Sequence, residues 1–303
     1  MTVGELPARA LESALAGAGL RLRTGPIVTR IRSELPELGE AVSLLYREHS
    51  VEPEDGFADF HVRVGRPAGL RRWIKPQVEF EFDGAPPFLP LPDNQAFPIL
   101  EWGLNWCVSA HCHQYLVVHA AVLERNGGAL ILPAPPGSGK STLCAGLVSR
   151  GWRLLSDELT LLDPNTAMVV PLARPISLKN QSIEVIRKFA PQAVFSTTVH
   201  DTLKGSVAHL KPPRDAVRRS LEPAAPRWIV MPRYQAGALS ELKPLSRGRA
   251  FMQLADSAFN YNVHGRQGFE LLADAVERSE CYEFVYGDLE SATAMLTELA
   301  AKS

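Results

Sequence analysis

Residues 129 to 159, ALILPAPPGSGKSTLCAGLVSRGWRLLSDEL, constrain this chain more than any other stretch. The apolar run at 129–132 reads as a buried strand, and a Pro/Gly-rich turn fills 133–139. Lys140-Ser141-Thr142 then opens a segment with Leu143, Leu147 and Val148 at helical spacing. In this strand, loop and helix order, glycines let successive backbone N–H groups turn inward around a phosphate. The helix N-terminus adds partial positive charge, a lysine reaches the β- and γ-phosphates, and Ser or Thr holds Mg²⁺. The full G-x-x-x-x-G-K-[ST] pattern needs glycine where Ala134 stands, but Gly139-Lys140-Ser141 is intact and Gly137 adds a second flexible point. The candidate phosphate-binding residues are therefore Pro136, Gly137, Ser138, Gly139, Lys140, Ser141 and Thr142.

The helix is expected to end near Arg150-Gly151, because glycine is the usual residue just past a helix. Residues 152–156 then read as the next parallel strand of a βαβ unit, ending in Asp157-Glu158. Open parallel sheets bind ligands at the carboxyl ends of their strands, so these acids are expected to face the loop.

A chain of 303 residues can bury a large core and build two domains. Its formal net charge of −1 gives no basic field for nucleic acid or an anionic membrane. Glu5, Arg9 and Glu12 interrupt the N-terminal apolar residues, and no run of about 18 apolar residues occurs, so a cytoplasmic protein is expected. Four cysteines (Cys107, Cys112, Cys144, Cys281) suit reduced thiols better than a disulfide framework. Cys107, His111, Cys112 and His113 crowd together but match no zinc spacing, and buried helix packing accounts for them.

In chain order, 6–16 reads as a helix, and the glycines of 17–25 read as a break. Residues 27–32 form a strand, 38–47 a short amphipathic helix and 57–64 a strand; 74–79 and 80–82 are further strand candidates, with Pro76 at a sheet edge. This is an α+β module over residues 1–98. Its five prolines between 84 and 98 make a wrap, and the second domain, 99–303, opens on a buried helix at 99–114. Residues 115–124 and 129–132 form a hairpin across Arg-Asn-Gly-Gly, with His119 inside the first strand. A basic region at 203–219, containing Lys204, Lys211 and Arg214, can close over a nucleotide or a substrate. Strands at 228–231 and 282–286 and helices at 248–258, 267–277 and 289–300 complete the chain.

Five segments together, VVHAAVLE (117–124), PPGSGKSTL (135–143), RGWRLLSDE (150–158), ARPISLKN (173–180) and the basic stretch ending in Arg214, resemble the HPr kinase/phosphorylase superfamily. RTGPI (23–27), GLRRW (69–73) and EWGLNW (101–106) extend the resemblance to the HPr kinase-related kinase A group. The resemblance implies an α/β fold: a P-loop catalytic domain of the phosphoenolpyruvate-carboxykinase-like, HPr kinase type, following the N-terminal α+β module. It implies ATP and Mg²⁺ as cofactors and a serine of a peptide or small protein as acceptor. It also hints at a peptide-chaperone-like partner and is compatible with a homo-oligomer. Carried over by motif, the catalytic residues are His119, Lys140, Asp157 and Arg214. Asp157 is expected near the acceptor hydroxyl, and Ser141 and Glu158 at the metal. The family's Glu-[Ile/Val]-Arg-Gly signature is absent and ARPISLKN occupies its place, which leaves reverse phosphorolysis and HPr itself as substrate open. A small-molecule kinase and a nucleotide-binding module without turnover also remain open.

Overall fold

In the computed structural model, which describes residues 1–68, 75–135 and 137–302, the chain is a mixed α/β protein with several sheets. Helix α1 (Ala8–Ala16) buries Leu11 and Leu15 and stops where Gly17 donates its N–H to Ser13. The expected glycine break holds a strand instead, β1 (Leu20–Thr24), paired antiparallel with β2 (Ile27–Arg32). Only Gly19 (φ +101°) and Gly25 (φ +57°) need the left-handed backbone. The strand is masked in the sequence because Arg21 stands where an apolar residue is expected. Its guanidinium is buried and donates to the carbonyls of Gly56 and Phe57.

Helix α2 (Pro36–Leu45) leads to β3 (Phe60–Gly65), which lies parallel to β2. The two strand candidates at 74–82 are one strand, β4 (Gln77–Phe82), with residue 74 outside the described residues. Pro76 precedes β4 and costs the ladder no hydrogen bond, and β5 (Leu91–Pro92) completes the sheet order β1-β2-β3-β4-β5. Helix α3 (Ala96–His111) starts inside the proline-rich segment, so the 98/99 boundary falls within a helix. Pro98 sits in its first turn, where no intrahelical donor is lost. Ile99, Leu100, Leu104 and Cys107 share one hydrophobic core with the N-terminal sheet, and His111 stacks on Phe82 at 4.7 Å.

Beyond α3 comes the hairpin of β6 (Leu116–Arg125) and β7 (Gly128–Pro133), joined by Asn126 (φ +54°) and Gly127 (φ +81°). Two positive-φ residues give the turn whose twist matches paired strands. Helix α4 (Lys140–Ser149), β8 (Arg153–Ser156), β9 (Leu159–Leu162) and β10 (Val169–Val170) follow. β8 is not the neighbour of β7: it pairs antiparallel with β6, which is itself antiparallel to β7. The expected parallel direction is therefore kept, with β6 inserted between the two strands.

A small antiparallel sheet comes next, of β11 (Ile176–Lys179), β12 (Val199–Thr202) and β13 (Gly205–Leu210) in the order β11-β13-β12, with α5 (Gln181–Phe189) before β12. After α6 (Arg214–Arg218), β14 (Ala225–Tyr234) returns to lie parallel beside β7. Then come β15 (Glu241–Pro244), α7 (Arg247–Asp256), α8 (Tyr261–Glu277), β16 (Glu280–Tyr286) and α9 (Leu289–Lys302). The large sheet runs β10-β9-β6-β7-β14-β16-β15, with β8 also on β6. Leu143 and Leu147 of α4 and Leu296 of α9 pack on one face; Leu254 of α7 and Leu272 of α8 pack on the other. β7, β14 and β16 run parallel and β8 runs the same way, so their carboxyl ends meet on one edge. Among the described residues no helix is long and apolar enough to cross a membrane.

The seat of α3 yields a test. A Cβ at Gly103 would stand 2.2 Å from the Phe80 ring. Alanine normally favours a helix over glycine by roughly 0.8–1.0 kcal/mol. Overpacking costs about 1–3 kcal/mol, so Gly103→Ala is expected to destabilise the protein, seen as a lower urea midpoint with an unchanged slope. A raised midpoint contradicts this packing.

Candidate functional site

The loop after β7 is pinned by the ends of the two strands beside it. Tyr234 at the end of β14 donates its backbone N–H to Ser138 O (2.9 Å), and Tyr286 at the end of β16 donates its hydroxyl to Gly139 O (2.9 Å). Gly137 (φ +85°) and Gly139 (φ +90°) take the left-handed conformation, and Gly139 is the residue preceding α4. Pro136 lies outside the described residues. Ser141 and Thr142 follow in the first turn of α4, both half-buried.

Lys140 is buried, 7% exposed, and its Nζ has no hydrogen-bond partner. Burial lowers its pKa, opposed by Asp157 and then Glu158. Asp157 is also buried. Its Oδ2 accepts the Ser177 N–H (3.0 Å), and its Oδ1 has no partner. Burial pushes its carboxyl up to about 6, Glu158 adds to this, and Lys140 opposes it, as do the Ser177 N–H and the neighbouring Ser141 hydroxyl. Glu158 behaves differently. Burial raises its pKa, but Lys179, Lys204, Lys140 and His119 together hold it below the usual carboxylate range. Its Oε2 accepts from Asn105 Nδ2, and its Oε1 is 3.8 Å from Lys179 Nζ.

His119 lies on the same face of β6 as Ala121 and Leu123, the face α4 covers. Burial pushes its pKa down to about 4, reinforced by Lys140, Lys179 and Lys204 and opposed by Glu158, so it is neutral at pH 7. Among the residues proposed from motif, Lys140, Ser141, Asp157, Glu158 and His119 are thus brought together. Arg214 is not. It opens α6, exposed, and pairs with Glu48 Oε2 at 3.2 Å; Lys211 pairs with the same carboxylate at 3.4 Å. Ser141 stands beside Asp157, whereas the oxygens of Glu158 are engaged by Asn105 and Lys179.

Sequence reasoning assigned no role to Trp102, Asn105, Arg174, Ser177 or Lys179, yet each reaches this cluster. Arg174 donates through Nη2 to Asn105 Oδ1, and Asn105 donates in turn to Glu158. Lys204, in the turn between β12 and β13, places its Nζ 4.6 Å from the Trp102 ring centre. Their signal lay in EWGLNW and ARPISLKN, segments that carry no recognised chemical motif on their own.

A buried ammonium and an unpaired Ser138 Oγ on the loop side, with Ser141 beside a carboxylate, form a donor set that suits phosphate oxygens and a hard divalent cation. Compared with known proteins, the chain matches no family model and no curated protein.

The loop geometry separates its two glycines. A Cβ at Gly137 meets nothing within 4 Å, whereas one at Gly139 would stand 2.4 Å from Tyr286 Oη and 2.9 Å from Tyr234 Cβ. Gly137→Ala is expected to cost about 1–2 kcal/mol from its positive φ alone. Gly139→Ala should cost about 1–3 kcal/mol more. Adding Tyr286→Phe should recover part of that difference in denaturant melts; equal costs at the two glycines would refute the docking of the loop on Tyr286.

Proposed function

We propose that this chain is an ATP- and Mg²⁺-dependent kinase of the P-loop, HPr kinase type, transferring a γ-phosphoryl group to a hydroxyl, with a serine of a peptide or small protein as acceptor. The observation that carries the reading is a buried, unpartnered Lys140 Nζ at the start of α4, on the sheet edge where Asp157 holds one carboxylate oxygen free. An internal lysine that made no use of its charge would be a pure cost to the fold. At the mouth of a phosphate loop the same group neutralises charge on the oxygens being transferred.

Mg-ATP, when bound, supplies the phosphoryl group and the metal's neutralising charge. Lys140 would set its ammonium against phosphate oxygens, and the Gly137–Gly139 turn would supply backbone amides to them. Ser141 would hold the metal, joined by Glu158 if Asn105 or Lys179 released it. Asp157 is anchored through Oδ2 and leaves Oδ1 to receive the acceptor's proton. A carboxylate with a pKa near 6 is a better base than one near 4 and is still ionised at pH 7. His119, uncharged, orients the acceptor without adding repulsion to the lysines around it. The role that motif order gave Arg214 passes to the cations at the cluster, Lys179 and Lys204.

Two substitutions test the reading with radiolabelled ATP and a peptide pool as acceptor. Lys140→Ala is expected to abolish transfer in a folded protein. Asp157→Asn should slow transfer by about 10²- to 10⁴-fold, a general-base contribution, with far less effect on nucleotide affinity. Normal turnover in Lys140→Ala removes the P-loop assignment; normal turnover in Asp157→Asn removes the base.

A further inference from the structure

Of the thirteen buried side-chain nitrogen and oxygen atoms that lack a partner among the described residues, seven belong to this one region. Two, Ser138 Oγ and Lys140 Nζ, belong to the phosphate loop. The other five are Trp102 Nε1, Asp157 Oδ1, Arg174 Nε and Nη1, and Ser177 Oγ, and their residues line a cavity between α3, the end of β8 and β11 whose volume of about 10 Å³ suits one water and must widen for anything larger. Native interiors leave few buried polar atoms unpaired, so a cluster of five around one cavity points to something that pairs them.

We propose that this cavity is an acceptor-binding subsite that takes a carboxylate on Arg174 and Trp102, next to the hydroxyl that faces Asp157. The inference rests on the kinase reading and names the acceptor class for the same site. The chemistry of the wall selects the ligand. Its unpartnered atoms are three N–H groups, one hydroxyl and a single carboxylate oxygen, so their complement is a group rich in acceptor atoms beside one O–H donor. A carboxylate with a nearby hydroxyl is that complement. A phosphate would bring two charges to a cavity that already contains Glu101 and Glu158. A carboxylate brings one charge to a guanidinium that is 8% exposed and that no carboxylate reaches at ion-pair distance among the described residues.

Arg174 is held at one corner only. Asn105 Oδ1 accepts from Nη2, Asn105 Nδ2 donates to Glu158, and Glu101 Oε1 accepts the Tyr46 hydroxyl. Two contacts position the backbone of this wall. His49 Nε2 donates to the Ala173 carbonyl (2.8 Å), immediately before Arg174, and the Ser177 N–H ties β11 to Asp157. A guanidinium on a backbone positioned in this way discriminates by position as well as charge. The carboxylate can come from a free hydroxy acid or from an acidic residue next to a serine in a peptide.

The test uses the full chain saturated with a non-hydrolysable ATP analogue and Mg²⁺, so that the phosphate loop is filled. Glycerate and N-acetyl-Ser-Asp are titrated against their amides, glyceramide and N-acetyl-Ser-Asn, following indole fluorescence with Trp102→Phe as the blank. Saturable binding of either acid, at least tenfold tighter than its amide, is expected, and whichever acid binds identifies the source. Arg174→Met should weaken that binding about ten- to a hundredfold with analogue affinity unchanged. Arg174→Lys, which keeps the charge beside Glu101 and so protects folding, should fall between the two; thermal melts check both. Equal affinity for acid and amide, no saturable binding of any probe, or full binding by a folded Arg174→Met each overturns the proposal. Acid binding in a protein that binds no ATP analogue keeps the subsite and removes the kinase reading, so the two failures are separable.

Discussion

The buried ammonium of Lys140 is the group around which the rest is arranged. A lysine head taken out of water costs free energy that only nearby negative charge, or a ligand that brings it, can offset. Asp157 and Glu158 supply the charge, and the topology explains why they can. β8 runs in the same direction as β7 although β6 separates them, so the acids after β8 and the loop after β7 reach the same edge. Direct pairing of β7 with β8 would put that edge at the end of a simple parallel run. The antiparallel insertion of β6 instead places His119 between them, on the side α4 covers.

The acids depend in turn on the N-terminal part of the chain. Glu158 is held by Asn105 of α3, and Asn105 by Arg174. Arg174 is delivered by a segment that the N-terminal part grips at several points. Gly25 lies so close to the Pro171 carbonyl that a Cβ there would stand 2.1 Å from it, and His49 donates to Ala173. Glu48 pairs with both Lys211 and Arg214, which uses the outer basic residues to join the two parts and leaves Lys179 and Lys204 for the cluster. The N-terminal part carries no motif of its own, yet its helix α3 forms one wall of the site.

This division explains what could be read from the sequence. Periodicity and glycine placement suffice where a residue's role is local: the β6–β7 hairpin at Asn126-Gly127, the loop at Gly137–Gly139 and the start of α4 at Lys140 all follow from neighbours in sequence. β1 was hidden because Arg21 occupies a buried position and its Nη atoms donate to carbonyls some 35 residues away. Arg214 was misplaced for the opposite reason. A basic residue in a loop after the acids looks free to reach a phosphate, and only the fold reveals Glu48 opposite it. Asn105 and Arg174 reach the candidate site through contacts between residues 53 and 69 positions apart, and Ser177 through one 20 positions long, and no local pattern encodes such contacts.

The unpartnered atoms divide by sign, and that division carries the functional argument further than their number does. On the loop side stand a hydroxyl and an ammonium; on the α3 side stand three N–H groups and a hydroxyl; between the two is one carboxylate oxygen. N–H donors and hydroxyls thus outnumber the single carboxylate oxygen among the unpartnered atoms. Two oxygen-rich anionic groups joined by one transferable proton would pair every one of these atoms. Phosphoryl transfer to a hydroxyl that carries a carboxylate neighbour has that shape: anion, proton, anion, with Asp157 at the middle.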